Sequence, residues 1–116
     1  MNPTMHAIQY AHYGAPEVLQ LATLPLSAPG PGEVRVRMLA AGLAPFDTKL
    51  RAGLLRTYFQ LAFPKVPGRD GTGVIDQIGA DVAGLQVGDP VCVVAAQLAV
   101  GTCAQALVCP TGQVVA

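Results

Sequence analysis

The sequence predicts one small β-rich domain, either a barrel or a sandwich, with one short helix. Its 116 residues suffice for a single domain, and a composition of 52% apolar and 12% charged residues provides one hydrophobic core. Thirteen glycines and ten prolines are spread along the chain as turn residues. Between them lie short runs of strand-like residues, some of which alternate between apolar and polar types.

Most of the chain is assigned to short strands. The segment 33–38 gives the clearest signal, because two valines and a methionine alternate with a glutamate and two arginines. Before it, the run Pro-Gly-Pro-Gly at 29–32 predicts a stiff turn. The other strands are predicted over 5–12, 18–24, 71–79, 91–96, 102–108 and 113–116.

One helix is predicted after Gly42, where the strand pattern is lost. Asp47 is a candidate N-cap, Leu50 is an apolar position and Gly53 is a candidate C-terminal stop. The stretch 54–67 is ambiguous, and we expect one more helical turn followed by a loop that ends at two prolines.

Charge and hydropathy exclude several classes of partner. Seven basic and seven acidic residues cancel, which argues against a nucleic-acid partner or a polybasic membrane-surface protein. The longest apolar run, 91–96, is too short to span a membrane. The first six residues lack the pattern of a secretory signal, so a cytoplasmic location is expected.

The cysteines and histidines do not form a metal-binding pattern. Cys92, Cys103 and Cys109 lack the C-x-x-C spacing of a metal site, and they are expected to be buried packing residues. His6 and His12 have no third ligand near them in sequence, so both are expected to be ordinary surface or core histidines. No metal is predicted.

Five of the seven basic residues lie between positions 49 and 69, where no acidic residue follows Asp47 until Asp70. Such a local positive charge favours an anionic ligand, or a carbonyl substrate that gains negative charge, whereas the alternative is a solvated loop. Asp47 keeps two compatible roles, capping the helix or pairing with nearby cations to orient a loop. The five basic residues are Lys49, Arg51, Arg56, Lys65 and Arg69.

Three glycines at 68, 71 and 73 resemble a dinucleotide-binding fingerprint, but their context differs. That fingerprint joins a strand to a helix, whereas Pro67 precedes these glycines and the strand-like Val74 follows them. The glycines are therefore predicted to allow a tight turn or a close backbone approach. The chain is predicted to contain no nucleotide-binding fold of its own.

Seven motifs follow one another along the chain. They are Gly14-x-Pro16-Glu17-Val18-Leu19, Pro31-Gly32-Glu33-Val34-x-Val36, Ala41-Gly42-x-x-Pro45-x-Asp47-x-Lys49-x-Arg51-x-Gly53, Pro67-Gly68-Arg69-Asp70-Gly71-Thr72-Gly73-Val74-Ile75, Ile78-Gly79, Val87-Gly88-Asp89-Pro90-Val91 and Gly101-Thr102-Cys103-Ala104-Gln105. Each is weak alone, but in this order they cover nearly the whole chain. Together they resemble the medium-chain dehydrogenase/reductases of the quinone oxidoreductase type.

This resemblance implies a GroES-like N-terminal catalytic domain, which is mainly β: a distorted antiparallel β-barrel with one or two short helices. In the family a Rossmann domain that binds NADPH follows, and it is expected to be absent from residues 1–116. The family reaction is hydride transfer from NADPH to a quinone or an α,β-unsaturated carbonyl compound. The resemblance thus implies the substrate-side domain of such an oxidoreductase, inactive when isolated.

The resemblance also implies independence from zinc. Zinc-dependent relatives carry a cysteine at the position of Ala44 and a His-Glu pair at the positions of Arg69 and Asp70. Alanine has no ligand atom, and an arginine side chain would repel the metal. Zinc-independent relatives usually carry asparagine near the nicotinamide at the position of Ala44, so that polar contact is lost here.

Site residues carried over from the family lie in two motifs. Lys49 and Arg69 are the predicted catalytic residues, because cationic groups stabilise the enolate or oxyanion that forms during hydride transfer. The residues expected at the cofactor are Ala44, Pro45 and Arg69, and those expected at the substrate are Asp47, Lys49 and Leu55.

Two further hypotheses remain. The chain could be a stand-alone interaction module on the same barrel, similar to a co-chaperonin whose mobile apolar loop would lie over 54–67. It could also bind a carbonyl ligand without catalysis. In addition, we expect dimers or other self-association, because the surface that packs on the cofactor domain would be exposed.

Overall fold

The computed structural model describes residues 3–96 and 100–116, and its main element is a five-stranded antiparallel sheet in the order β6–β3–β4–β5–β7. The strands of this sheet are β3 (Glu33–Ala41), β4 (Asp70–Ile78), β5 (Pro90–Val94), β6 (Ala106–Pro110) and β7 (Val114–Val115). A separate antiparallel ribbon consists of β1 (Thr4–Gln9) and β2 (Gln20–Pro25). One helix, α1 (Pro45–Ala52), lies between β3 and β4, and 3₁₀ turns occupy Pro16–Val18 and Thr111–Gln113. The mainly β fold predicted from the sequence is confirmed.

Strand β3 confirms the clearest sequence signal and continues three residues beyond residue 38, to Ala41. Val34 and Val36 are fully buried, whereas Arg35 points to the outer face. There its Nε lies 2.8 Å from the Asp76 carboxylate of β4, which makes a cross-strand ion pair.

Other strand ends differ from the prediction because their backbone groups bond elsewhere. The strand expected over 5–12 ends at Gln9, after which Tyr10 bonds in both directions to the backbone of Lys65. The strand expected over 102–108 starts only at Ala106, since the amides at 101–103 bond to carbonyls at 66–68. The strand expected over 91–96 ends at Val94, and β7 has only two residues.

The core lies on the inner face of the five-stranded sheet. It is formed by Val34, Val36, Ile75, Val91, Val93, Ala95, Leu107 and Cys109. The apolar strand β5 is buried on one face only, because Cys92 and Val94 point outward. The expectation of three buried cysteines is therefore wrong for Cys92, while Cys103 is half-buried and Cys109 is buried.

Two of the three glycines discussed above allow β4 to lie close to β3. A Cβ atom on Gly71 would lie 2.5 Å from the Ala40 carbonyl oxygen, and one on Gly73 would lie 2.4 Å from the Arg37 carbonyl oxygen. A register shift in β3 between Met38 and Ala40 lies beside them. This confirms the predicted close backbone approach.

No helix in the part of the chain that the structure describes combines the length and the apolar character needed to cross a membrane.

Stability should fall at alkaline pH because of the buried Cys109 thiol. Burial, with a smaller contribution from Glu33, raises the pKa of Cys109 from 9.0 to about 11. Between these values the unfolded chain has lost the thiol proton and the folded chain has kept it, so stability decreases as pH rises. One pH unit corresponds to about 1.4 kcal/mol, so this loss reaches at most about 3 kcal/mol by pH 11.

Urea unfolding between about pH 8 and pH 11 tests this expectation. The Cys109→Val variant should show a flatter pH dependence than the wild type over this range. The Cys92→Val variant, which removes an exposed thiol, is the matched control and should keep the wild-type slope. Equal slopes for Cys109→Val and the wild type would contradict the role assigned to Cys109.

Candidate functional site

Helix α1 begins and ends through its backbone conformation. Ala44, at the N-cap, is extended with φ −115° and ψ 162°, and Pro45 occupies the first helical position, where its missing N–H costs nothing. Gly53 ends the helix with φ 85°, which confirms the predicted stop. Asp47 caps the helix start as predicted, but it does so from the third helical position and not from the N-cap, which is Ala44.

The buried Asp47 carboxylate joins the start of α1 to a distant segment. One oxygen accepts the Ala44 N–H at 2.9 Å, and the other accepts the Gly68 N–H at 3.2 Å. The first bond is the backward half of a capping box. Both oxygens therefore accept backbone bonds inside the protein, and the substrate contact expected for Asp47 stays a prediction. The alternative was an ion pair of Asp47 with Lys49 and Arg51. In the structure Arg51 donates instead to the Gly14 carbonyl, and Lys49 is exposed.

Three titratable groups lie within the electrostatic reach of Asp47. Burial lowers the pKa of Lys65, and the negative charge of Asp47 opposes this shift. Burial raises the pKa of Tyr10 to about 12, with smaller contributions from Tyr13 and Asp47 that exceed the opposing effect of Arg51. Burial, and then Asp47, raises the pKa of the Cys103 thiol. A compact buried polar cluster therefore lies beneath the start of α1.

Arg69 lies over the face of Phe46, the second residue of α1. Its Cζ atom is 5.8 Å from the centre of the Phe46 ring, and Phe46 packs edge-to-face on Phe59 at 5.7 Å. Within the described part of the chain, the buried Arg69 Nε has no hydrogen-bond partner. The Nε of the half-buried guanidinium is thus a buried donor with no acceptor among the described residues.

The structure brings several predicted site residues together. Ala44 and Pro45 are exposed at the same helix start as Phe46. Lys49 is exposed three residues after Phe46, and positions three apart lie on the same helix face. Lys49 and Arg69 therefore flank Phe46.

Leu55 joins this group less directly. It lies beyond the end of α1, and its carbonyl accepts the amide of Phe59, the partner of Phe46. The ambiguous stretch 54–67 contains this single turn but no further helix.

The five basic residues do not form one surface. Arg51 bonds to a carbonyl, Lys65 is buried, and Arg56 is exposed in the turn after α1. Lys65 is buried near Asp47, whereas Lys49 is exposed on the helix face of Phe46 and Arg69 lies over the Phe46 ring. An anionic-ligand site stays a prediction, and Lys49 and Arg69 are the two basic residues placed to form it.

Phe46 and Gly68 were not identified as site residues from the sequence, and Lys65 was counted there only as one cation of the basic cluster. Phe46 could have been found from its spacing to Lys49 on the helix. The N–H of Gly68 and the buried side chain of Lys65 gave no local signal, because both depend on contacts distant in sequence. Among the residues that the structure describes, no three His, Cys, Asp or Glu side chains cluster as a metal ion requires.

Known proteins share this fold and sequence. The family model of the alcohol dehydrogenase GroES-like domain matches residues 30–116. Quinone oxidoreductase of Pseudomonas aeruginosa is 43% identical over 84 residues, which cover 72% of this chain and 25% of that protein. Alcohol dehydrogenase 1 of Artemisia annua is 37% identical over 101 residues, which cover 86% of this chain and 24% of that protein.

A solved structure gives the same result. Quinone oxidoreductase of Pseudomonas syringae pv. tomato DC3000 superposes with a TM-score of 0.84 at 35% identity, covering 96% of this chain and 33% of that one. The chain thus spans about a quarter to a third of the length of these relatives. With these matches, the chain belongs to the alcohol dehydrogenase GroES-like domain family, among the quinone oxidoreductases and alcohol dehydrogenases of the medium-chain dehydrogenase/reductase superfamily.

Proposed function

We propose that the chain is the substrate-side domain of a zinc-independent oxidoreductase that transfers hydride from NADPH to a quinone or an α,β-unsaturated carbonyl compound. The observation that carries this proposal is the Arg69 guanidinium, which lies over Phe46 beside the exposed start of α1 with its Nε unpaired in the described chain. Membership of an oxidoreductase family supports it.

The two cations suit the charge that carbonyl reduction creates. Negative charge develops on the substrate oxygen, and a guanidinium held in place by the protein is a preorganised donor for it. Lys49 adds a second positive charge on the same helix face. The nicotinamide, when bound, supplies the hydride. Ala44 and Pro45 are small and exposed, which leaves room for a flat ring at the helix start.

This chain fits only one end of NADPH. Gly68 precedes β4, Gly71 and Gly73 lie within it, no helix follows them directly, and the Gly68 amide bonds to Asp47. They therefore cannot form the phosphate cradle of a dinucleotide fold. A second domain that holds most of the cofactor is part of the proposal, and the greater length of the relatives supports it. The choice of NADPH over NADH is carried over from the resemblance.

The donor set supports a reaction without zinc. Ala44 has no atom that could ligate a metal, and Arg69 places a positive charge at the second family position. Asp70 alone contributes one exposed carboxylate, and a tetrahedral site needs three or four protein ligands.

The stretch 54–67 does not favour the co-chaperonin-like alternative. Its Phe59 packs on Phe46, and its Phe63 makes edge-to-face contacts with Tyr13 at 5.1 Å and with Tyr10 at 6.1 Å. A partner-binding loop of that kind needs apolar side chains free to leave the domain, and in this stretch that holds for the exposed Leu54 and Tyr58 but not for Phe59, which packs on Phe46. Self-association of the chain stays a prediction.

The purified 116-residue chain should not oxidise NADPH with duroquinone as acceptor. Duroquinone is a suitable probe because its four methyl groups block addition of the exposed Cys92 thiol. Replacing the N-terminal segment of the Pseudomonas aeruginosa quinone oxidoreductase by this chain should give an active fusion. Loss of NADPH absorbance measures both reactions.

The remaining part of that enzyme, expressed without this chain, is the control and should be inactive. Turnover by the isolated chain would overturn the two-domain proposal. A folded fusion that binds NADPH but fails to reduce any quinone or enone would overturn the substrate-side assignment.

A further inference from the structure

The segment that carries Arg69 is bonded to a buried residue that is distant in sequence, Thr102. Thr102 is only 1% exposed, and its hydroxyl donates to the Asp70 carbonyl at 2.9 Å. Its backbone N–H donates to the Gly68 carbonyl at 3.3 Å. Thr102 therefore bonds to the residue before Arg69 and to the residue after it.

The hydroxyl of Thr102 occupies space that Gly68 leaves open. Gly68 has a φ of +98°, and a Cβ atom at that position would lie 2.4 Å from the Thr102 Oγ1. The same atom, Thr102 Oγ1, therefore packs against Gly68 and donates the hydrogen bond to Asp70. A larger residue at 68 would displace the Thr102 hydroxyl. A residue without a hydroxyl at 102 would remove the hydrogen bond to Asp70.

Two further bonds complete the attachment of this segment. Asp47 accepts the Gly68 N–H at 3.2 Å, and the Arg69 carbonyl accepts the Ala95 N–H. The backbone is therefore fixed before, at and after Arg69. The Arg69 side chain therefore starts from a fixed backbone position. Its Cζ atom lies 5.8 Å from the centre of the Phe46 ring.

We infer that Thr102 is a positioning residue for Arg69. Its hydroxyl fixes the backbone at residues 68–70, and this keeps the Arg69 guanidinium over Phe46. The orientation of the guanidinium is then set by the protein before a ligand binds. The importance of this positioning for substrate rests on the proposed function, but the geometric part can be tested separately. Nothing in the proposed chemistry requires Thr102 to touch substrate.

The Nε–H signal of Arg69 in ¹⁵N NMR spectra of the 116-residue chain reports its surroundings directly. Thr102→Val removes the hydroxyl and keeps the shape, and it should displace or broaden this signal. Thr102→Ser keeps the hydroxyl, and it should leave the signal at its wild-type position. Arg69→Lys, which lacks this group, assigns the signal.

Binding of duroquinone, followed in the same spectra, is the second measurement. The Thr102→Val variant should bind it about five- to tenfold more weakly than the wild type, as expected for the loss of one hydrogen bond. The Thr102→Ser variant should bind it with wild-type affinity. This rescue separates the hydroxyl from general packing.

An unchanged Arg69 signal in folded Thr102→Val would overturn the inference. If that variant does not fold, Thr102→Ser decides, since a displaced Arg69 signal there would show that the methyl group matters and not the hydroxyl. Failure of the proposed function is a different result: the wild type would not bind duroquinone, while the Arg69 signal would still follow the hydroxyl.

Discussion

Replacing Arg69 by methionine in the two-domain fusion should lower kcat by about a hundredfold, with a smaller change in KM. Removal of one preorganised donor to a developing oxyanion costs about two to three orders of magnitude in rate. The loss should appear mainly in kcat because the charge exists in the transition state and only weakly in the bound substrate. Steady-state kinetics with duroquinone measure both constants.

Three variants make this result interpretable. Arg56→Met removes an exposed cation from the same basic stretch and should change kcat by less than about twofold. Arg69→Lys keeps the charge but loses the planar fork, so an intermediate rate is expected. Lys49→Met should act more weakly than Arg69→Met, since solvent screens an exposed ammonium. Full activity of Arg69→Met would show that Arg69 does not stabilise the transition state.

The elements that could be predicted from the sequence are those specified by neighbouring residues. Alternation along 33–38 predicts β3, and a glycine after an apolar helical position predicts the end of α1. The glycines at 71 and 73 predict close packing of β4 on β3, because their context excludes a dinucleotide loop. Motif order then predicts the family.

The errors arise where distant residues decide. Asp47 caps the helix as expected, but from the third helical position, and its second bond, to Gly68 across 21 residues of sequence, was not predicted. Cys92 lies in an all-apolar strand, where alternation cannot tell which face is covered. Thr102 shows no local sign of its bond to Asp70, which lies 32 residues earlier.

In the candidate site too, local motifs predict the residues, whereas contacts distant in sequence decide their arrangement. Lys49 and Arg69 were found because the family motifs contain their positions. Their relation to each other depends on Phe46, whose ring lies beneath the guanidinium. Tertiary hydrogen bonds hold the segment that carries Arg69, among them the bond from the Gly68 amide to Asp47 at the helix start, and no sequence period encodes them.

The Asp47→Ala variant should lose about 3 kcal/mol of stability, measured by urea unfolding. Its carboxylate is the acceptor for two backbone N–H groups, at Ala44 and Gly68, and removal leaves both without that partner. The buried Gly68 donor left unsatisfied costs about 1–3 kcal/mol, the lost bond to the exposed Ala44 adds about 1 kcal/mol, and a domain of this size has only about 5–15 kcal/mol in total. The stability of Asp47→Asn should lie between those of the wild type and Asp47→Ala. Its amide oxygen can still accept one of the two bonds, but its NH₂ group faces the other N–H donor.

Thr48→Ala is the matched control for this loss. Thr48 is the next residue of α1, and its exposed hydroxyl donates to the Pro45 carbonyl at 2.8 Å, so its removal should cost less than about 1 kcal/mol. Equal stabilities of Asp47→Ala and Thr48→Ala would show that the carboxylate does not hold the helix start. A second signature comes from the charge itself: without Asp47, the pKa of the Cys103 thiol should fall and that of Lys65 should fall further, because both lose a nearby negative charge. Measurement of the thiol pKa in Asp47→Asn, which keeps the shape of the side chain, therefore separates the loss of charge from the loss of packing.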